Sequence, residues 1–249
     1  MLVNDFSIRS FRDTADRDYV NARLAYRARL VPQFLWSSLH CLEKYAKCIL
    51  LLNRIDSRKI RHEITGSLAR LARDCKFQID LTEVTTQFIK RLETGAEFRY
   101  FEVSYYNQEL DVMRLDRTVW ELRRYCQPLD YDINVNGELK NLLQANLDHI
   151  RAKLAANSKD TCISHGWLES VIDNRKHAAR QPLLWNNLFF GPSRRKRMKL
   201  IPNLESGNAP LYLHPEILDE VLKYVFLPPR LVRAYRQHER SERERRAGR

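Results

Sequence analysis

Glycine is scarce in this sequence, with 7 in 249 residues. A β-rich chain spends more glycine on hairpins and bulges. The shortage, together with abundant Leu, Ala, Arg and Glu, points to helices. Long apolar runs are also missing. The longest strictly apolar stretches hold five residues, as in Cys48 to Leu52, far short of the ~20 that cross a bilayer, so no membrane span is expected. Cysteine is sparse and unpatterned. Cys41, Cys48, Cys75, Cys126 and Cys162 include no CxxC spacing, and their number is odd. The first three fall on apolar faces of predicted helices and read as buried free thiols of a reducing compartment. Cys162 and His165 lack two further close ligands, so no metal site is expected. There is no glycine-rich phosphate loop and no GxSxG-like nucleophile turn, and no cofactor is implied. Asp5, Arg9, Arg12, Asp13 and Asp16 interrupt the N-terminal stretch, which argues against a signal peptide. The expectation is a cytoplasmic protein.

What the sequence does have is hydrophobic content and positive charge. Hydrophobic residues make up 44% of the chain, enough for a sizeable core. The net charge is +12 and unevenly placed. Residues 1–131 hold 22 Lys/Arg against 18 Asp/Glu, and residues 132–249 hold 21 against 13. Arg194, Arg195, Lys196, Arg197 and Lys199 lie in one stretch without an acid. The tail from Pro228 to Arg249 has eight arginines and three glutamates. Such patches attract polyanions, chiefly nucleic acid, through counterion release; a solubilising, solvated tail is the plainer alternative.

Along the chain the apolar spacing is that of helices, and the predicted fold class is all-α. A first helix is expected from about Asp16, with Val20, Leu24 and Ala28 inward. The clearest element runs over about 32–53, where Leu35, Leu39, Leu42, Ala46 and Ile49 recur at 4, 3, 4 and 3. Further helices are predicted over about 62–76, from the Asp80/Glu83 capping-box variant onward with Val84, Phe88 and Leu92 inward, and over 108–126. The aromatic stretch Phe98 to Tyr106 reads as a packed loop or short strand. Pro128 breaks the pattern and 129–137 marks a boundary. Beyond it, helices are predicted over 138–155 and 165–176. The apolar segment 183–190 is expected to dock onto the first half or onto a partner. A long loop spans 191–213, and a helix starts at Pro215 with Ile217, Leu218, Val221, Leu222 and Val225. The chain thus divides into a bundle (1–131), a further helical region packed on it (132–227) and a basic, partly disordered tail (228–249).

Residues 16–127 resemble a HEPN domain. The stretches that carry the likeness are Asp18-Tyr19-Val20-Asn21-Ala22-Arg23, then Leu35-Trp36 and Leu42-Glu43-Lys44-Tyr45-Ala46-Lys47-Cys48-Ile49-Leu50-Leu51, then Arg61-His62-Glu63-Ile64 with Leu68. The resemblance implies a bundle of four or five helices, often a homodimer. It also implies either a metal-independent ribonuclease of toxin–antitoxin or phage-defence systems, or a non-catalytic binder of RNA, a nucleotide or a partner protein. Catalytic members carry an arginine, four to six intervening residues and a histidine near the start of the last bundle helix, the histidine moving a proton and the arginine holding phosphate.

This sequence departs from that motif. The stretch 108–126 contains no histidine. Only Arg233 and His238 satisfy the spacing, and arginine is frequent enough for one such pair to arise by chance. His62, after Lys59 and Arg61 at a predicted helix start, is a candidate phosphate contact with Lys44 or Lys47 nearby, or else an anchor of its loop. His177 sits in a basic patch with His165, Arg175, Lys176 and Arg180. The weak catalytic candidates are therefore His62, His177, Arg233 and His238. The ligand candidates are Lys44, Lys47, Lys59, Arg61 and His62, and the nucleic-acid candidates are Arg194, Arg195, Lys196, Arg197 and Lys199. The expected function is RNA or nucleotide binding without catalysis. A divergent ribonuclease and a protein-interaction module are the alternatives.

Overall fold

A helix whose apolar residues recur every third or fourth position must bury that stripe, and one covered by neighbours on most sides becomes a hub. Helix α3 (Val31–Leu52) is such a hub in the computed structural model, which describes residues 2–58, 60, 63–95, 102–156, 163–191, 197 and 204–247. Pro32 occupies its first turn, where the missing N–H has no intrahelical partner to lose. Leu35, Leu39, Leu42, Ala46 and Ile49 are buried as the spacing predicts, and so are Cys41, Tyr45, Cys48 and Leu50.

Before the hub, α1 (Leu2–Ser7) runs through a π-helical turn (Ile8–Arg12) into α2 (Asp13–Arg27). After it come α4 (Ile64–Asp74), α5 (Glu83–Thr94) and α6 (Asp111–Arg123). All of α2, α4, α5 and α6 pack on α3. On α2 the predicted stripe holds at Val20 but not at Leu24 and Ala28. Leu24 is exposed, whereas Ala15, Tyr19, Ala22 and Tyr26 point inward together with Asp16 and Arg23. Two charged residues ride on that face because partners on α6 receive them. On α5, likewise, Val84 is exposed and Thr85, Phe88, Ile89 and Leu92 are buried.

Short strands interrupt the helices. In the aromatic stretch, β1 (Tyr105–Asn107) forms. The helix expected over 138–155 starts later: residues 132–141 are the hairpin β2 (Asp132–Val135) and β3 (Glu138–Asn141), and α7 covers Leu143–Ala155. Asn136 and Gly137 make its two-residue turn with φ of 55° and 93°, the left-handed pair that Asn-Gly adopts in hairpins. Periodicity across Leu139 and Leu143 suggested one helix, but the turn residues decide otherwise.

The apolar segment 183–190 docks onto the first half. After α8 (Trp167–Asp173) and α9 (Arg180–Leu184), Leu183 and Phe190 are buried in the same core as α2, α3 and α6. Phe190 lies 5.6 Å from the Tyr19 ring and Phe189 5.7 Å from Trp120. Arg27 over Trp185 adds a cation–π contact from α2 to this segment, and Arg17 over Trp167 adds one to α8.

The last portion has its own small core of Ala209, Leu211, Leu218, Leu227, Leu231 and Tyr235. Strand β4 (Glu205–Gly207) clips it to β1 in antiparallel register, Tyr106 opposite Ser206. Then follow α10 (Pro210–Leu213), a 3-10 turn (Pro215–Ile217), α11 (Leu218–Val221) and α12 (Pro229–Ala247). The helix predicted from Pro215 through Val225 ends at Val221, and Ile217 and Val225 are exposed. The basic stretch that begins at Pro228 carries α12. The protein is thus predominantly helical, with two small two-stranded sheets among the described residues. Among the described residues no helix is long and apolar enough to cross a membrane.

Candidate nucleic-acid interface

Helix α12 is built from strong helix formers after a double proline. Pro229 opens its first turn, and Arg, Glu and Ala dominate the remainder. Glu239 accepts from Arg243 at 2.6 Å and Glu242 from Arg245 at 2.8 Å, the i,i+4 and i,i+3 pairs that stabilise an exposed helix. One face seals the small core. Leu231 and Tyr235 are buried, and the Tyr235 hydroxyl donates to the Glu102 carbonyl. His238 stacks on Tyr212 with ring centroids 4.4 Å apart and planes 8° apart, and its Nε2 lies 3.0 Å from the Tyr212 carbonyl oxygen.

The opposite face is a row of arginines. Arg230, Arg233, Arg236, Arg240 and Arg243 follow one another at 3, 3, 4 and 3, and all are exposed. At ~100° per residue they fall within an arc of about 140°, opposite Tyr235, and extend over ~20 Å. Arg236 lies 3.2 Å from Asp219, an exposed pair that is worth little in water. Five cations along one solvent face can meet successive phosphates of a strand.

Among the described residues, the predicted site residues are not gathered into one centre. Arg233 and His238, five positions apart, point about 140° away from each other around α12, and His238 is occupied by Tyr212. His177 lies far along the chain on the turn before α9, where its Nδ1 accepts the Ala179 N–H at 3.1 Å and its ring meets Trp167 edge-on. Lys44 pairs with Asp18 at 2.5 Å and Lys47 with Glu43 at 2.5 Å, all four side chains partly or wholly buried. Both lysines therefore have carboxylate partners. Lys59, Arg61 and His62 lie outside the described residues, as do Arg194, Arg195, Lys196 and Lys199; Arg197 is exposed. Among the described residues no group of three or more His, Cys, Asp and Glu is placed to hold a metal ion.

A polar cluster that the spacing did not reveal lies between α2 and α6. Two ion pairs cross it reciprocally. Arg23 of α2 binds Asp116 of α6, and Arg123 of α6 binds Asp16 of α2 through Nε at 2.7 Å and Nη2 at 2.8 Å. Both pairs are separated by seven residues on each helix, two turns, so the antiparallel helices match cation to anion at both ends. Tyr19 donates to Asp116 at 2.6 Å and Tyr45 to Asp16 at 2.6 Å. The second half completes the cluster. Arg23 Nε donates to the Pro182 carbonyl at 3.0 Å and Nη2 to that of Trp185, Asn187 donates to the Tyr19 hydroxyl at 2.8 Å, and Glu169 takes two bonds from Arg123 at 2.7 and 2.8 Å. Gly166 admits this arrangement: a Cβ there would collide with Glu169 Oε2 and lie 2.8 Å from Arg123 Nη2.

Electrostatics follow from burial. Burial, reinforced by Asp116, pushes the Tyr19 hydroxyl well above its ordinary value, and burial with Asp16 does the same to Tyr45. Burial raises the Asp116 carboxyl more than neighbouring Arg23 lowers it. It opposes charge on Arg123 too, but Asp16 and Glu169 outweigh it and hold the guanidinium firmly protonated. Asp116 Oδ2 has no hydrogen-bond partner among the described residues. Apart from the edge at Glu169 the cluster is closed to solvent, so its chemistry is that of a lock between the two halves.

No protein-family model, curated protein or solved structure matches this chain.

Proposed function

We propose that this chain is a HEPN-like helical protein that binds RNA without cleaving it, and that the arginine face of α12 is its contact surface. The observation that carries the reading is the row Arg230, Arg233, Arg236, Arg240 and Arg243, exposed along a helix whose other face is packed. The HEPN likeness is supported by helices α2 to α6 gathered around α3. It is supported also by the meeting of residues that carry it, with Tyr19, Arg23 and Tyr45 in one buried cluster and Asp18 paired to Lys44. The absence of catalysis is supported by the engagement of His177 with Ala179 and of His238 with Tyr212.

Fluorescence anisotropy with labelled RNA tests this. Five phosphate contacts give a slope of log K against log salt of about −3.5 for a single strand. Arg233→Glu with Arg240→Glu weakens binding roughly ten- to a hundredfold and flattens that slope. RNA incubated with the protein and EDTA stays intact. Absence of binding at low salt, or binding indifferent to salt, refutes the reading.

A further inference from the structure

The row of arginines does not end in open polar surface at its N-terminal end. The link from α11 to α12 carries Tyr224-Val225-Phe226, and the two rings are among the most exposed apolar groups described, at 79% and 83%. The Tyr224 hydroxyl donates to Glu220 Oε1 at 3.2 Å, while its ring stays open to solvent. Phe226 stands four residues before Arg230, which places the two within ~14 Å even for a fully extended chain. Asp219, on α11, is held to Arg236 at 3.2 Å, so the short helix preceding the aromatic link lies against the arginine helix. Two uncovered aromatic rings beside a row of cations form a surface with two chemistries: planar apolar faces, and point charges spaced along a line.

We infer that this surface selects single-stranded RNA, with bases stacking on Tyr224 and Phe226 while the α12 arginines hold the backbone. The inference rests on the RNA-binding reading above and adds to it the form of the nucleic acid. Every base has a π-face, and a strand can unstack its bases onto aromatic side chains, whereas in a duplex those faces are already covered. Cations alone would not distinguish the two forms. Each base seated on a ring accounts for about a tenfold gain in affinity.

Binding of the full chain is compared for a ~16-nucleotide RNA strand, the duplex of the same sequence, an abasic strand of equal charge, and vesicles of anionic lipid. The strand is expected to bind at least tenfold tighter than the duplex and the abasic strand. Tyr224→Ala with Phe226→Ala removes that margin, leaves duplex binding and the salt slope unchanged, and leaves the melting temperature within a degree or two, since both rings are outside the core. Tyr224→Trp with Phe226→Trp restores the margin. If strand and duplex bind equally, or if the alanine variant keeps the margin, the inference fails while RNA binding stands. If nothing binds RNA, both fail. Vesicle binding that depends on the two rings, without preference for the strand, also overturns it and assigns the surface to a membrane.

Discussion

Replacing Arg123 with methionine keeps the unbranched stem of the side chain and removes its charged guanidinium. Four hydrogen bonds of 2.7–2.8 Å disappear. Asp16, fully buried, and Glu169, with its side chain 15% exposed, are left facing each other without a cation. Breaking a buried pair from one side costs about 3–5 kcal/mol, because the remaining charge has lost its solvent and its partner. Domains are stable by only ~5–15 kcal/mol in total. Equilibrium urea unfolding, followed by tryptophan fluorescence, reads the change. With a slope of ~3 kcal/mol per molar, the midpoint falls by about 1–1.7 M. The milder variant Glu169→Gln leaves the Asp16 pair intact and costs ~1 kcal/mol, which keeps the reasoning testable if Arg123→Met does not fold. Removing all three charges, as in Asp16→Leu/Arg123→Met/Glu169→Leu, recovers most of the loss. What remains is ~1–3 kcal/mol for the Tyr45 hydroxyl deprived of its acceptor. An Arg123→Met cost below ~1 kcal/mol, the size of an exposed pair, refutes the reasoning.

Two further outcomes bear on the same cluster. Gly166→Ala drives a methyl into the Arg123–Glu169 contact and is expected to cost ~1–3 kcal/mol, with little added cost once Arg123 is already methionine; urea midpoints of the single and double variants check this. Tyr19 and Tyr45 have folded-state values above the unfolded one, so the unfolded chain gives up those protons first. Their contribution is complete below about pH 10 and is lost as pH rises from there through the folded-state values. Denaturation midpoints at about pH 9 and 11 show the fall, and Tyr19→Phe/Tyr45→Phe makes it shallower.

How far the fold was legible varies with what each segment depends on. Helix α3 could be read nearly residue by residue, because its burial follows its own apolar spacing. Helix α2 could not: Asp16 and Arg23 look like solvated positions until Arg123 and Asp116, a hundred residues on, are set opposite them. Long-range charge matching has no local signature, and for that reason the lock was missed while Leu24 was taken for core. The hairpin over 132–141 did have a signal, Asn136-Gly137 between Ile133, Val135 and Leu139, but the leucine spacing into α7 overrode it. Of the candidate site, the arginine density after Pro228 was visible. The arrangement on one face of α12 needed to know that Leu231 and Tyr235 are the packed side. The exposed rings of Tyr224 and Phe226 carried no signal, because Val221, Leu222 and Val225 read as one helical stripe that the structure ends at Val221.

The reciprocal pairs also set an order of assembly. A ribosome makes Asp16, Arg23, Asp116 and Arg123 before Glu169, and long before Pro182, Trp185 and Asn187. A nascent chain that has just finished α6 holds both arginines on a seam between apolar helices, with some of their acceptors still unmade. Water has to serve in their place, and a hydrated seam packs loosely. The first half therefore reaches its final density only when the segment around 163–190 arrives to displace that water. A fragment cut at the apparent boundary near residue 131 keeps every helix of the bundle yet never completes this drying step.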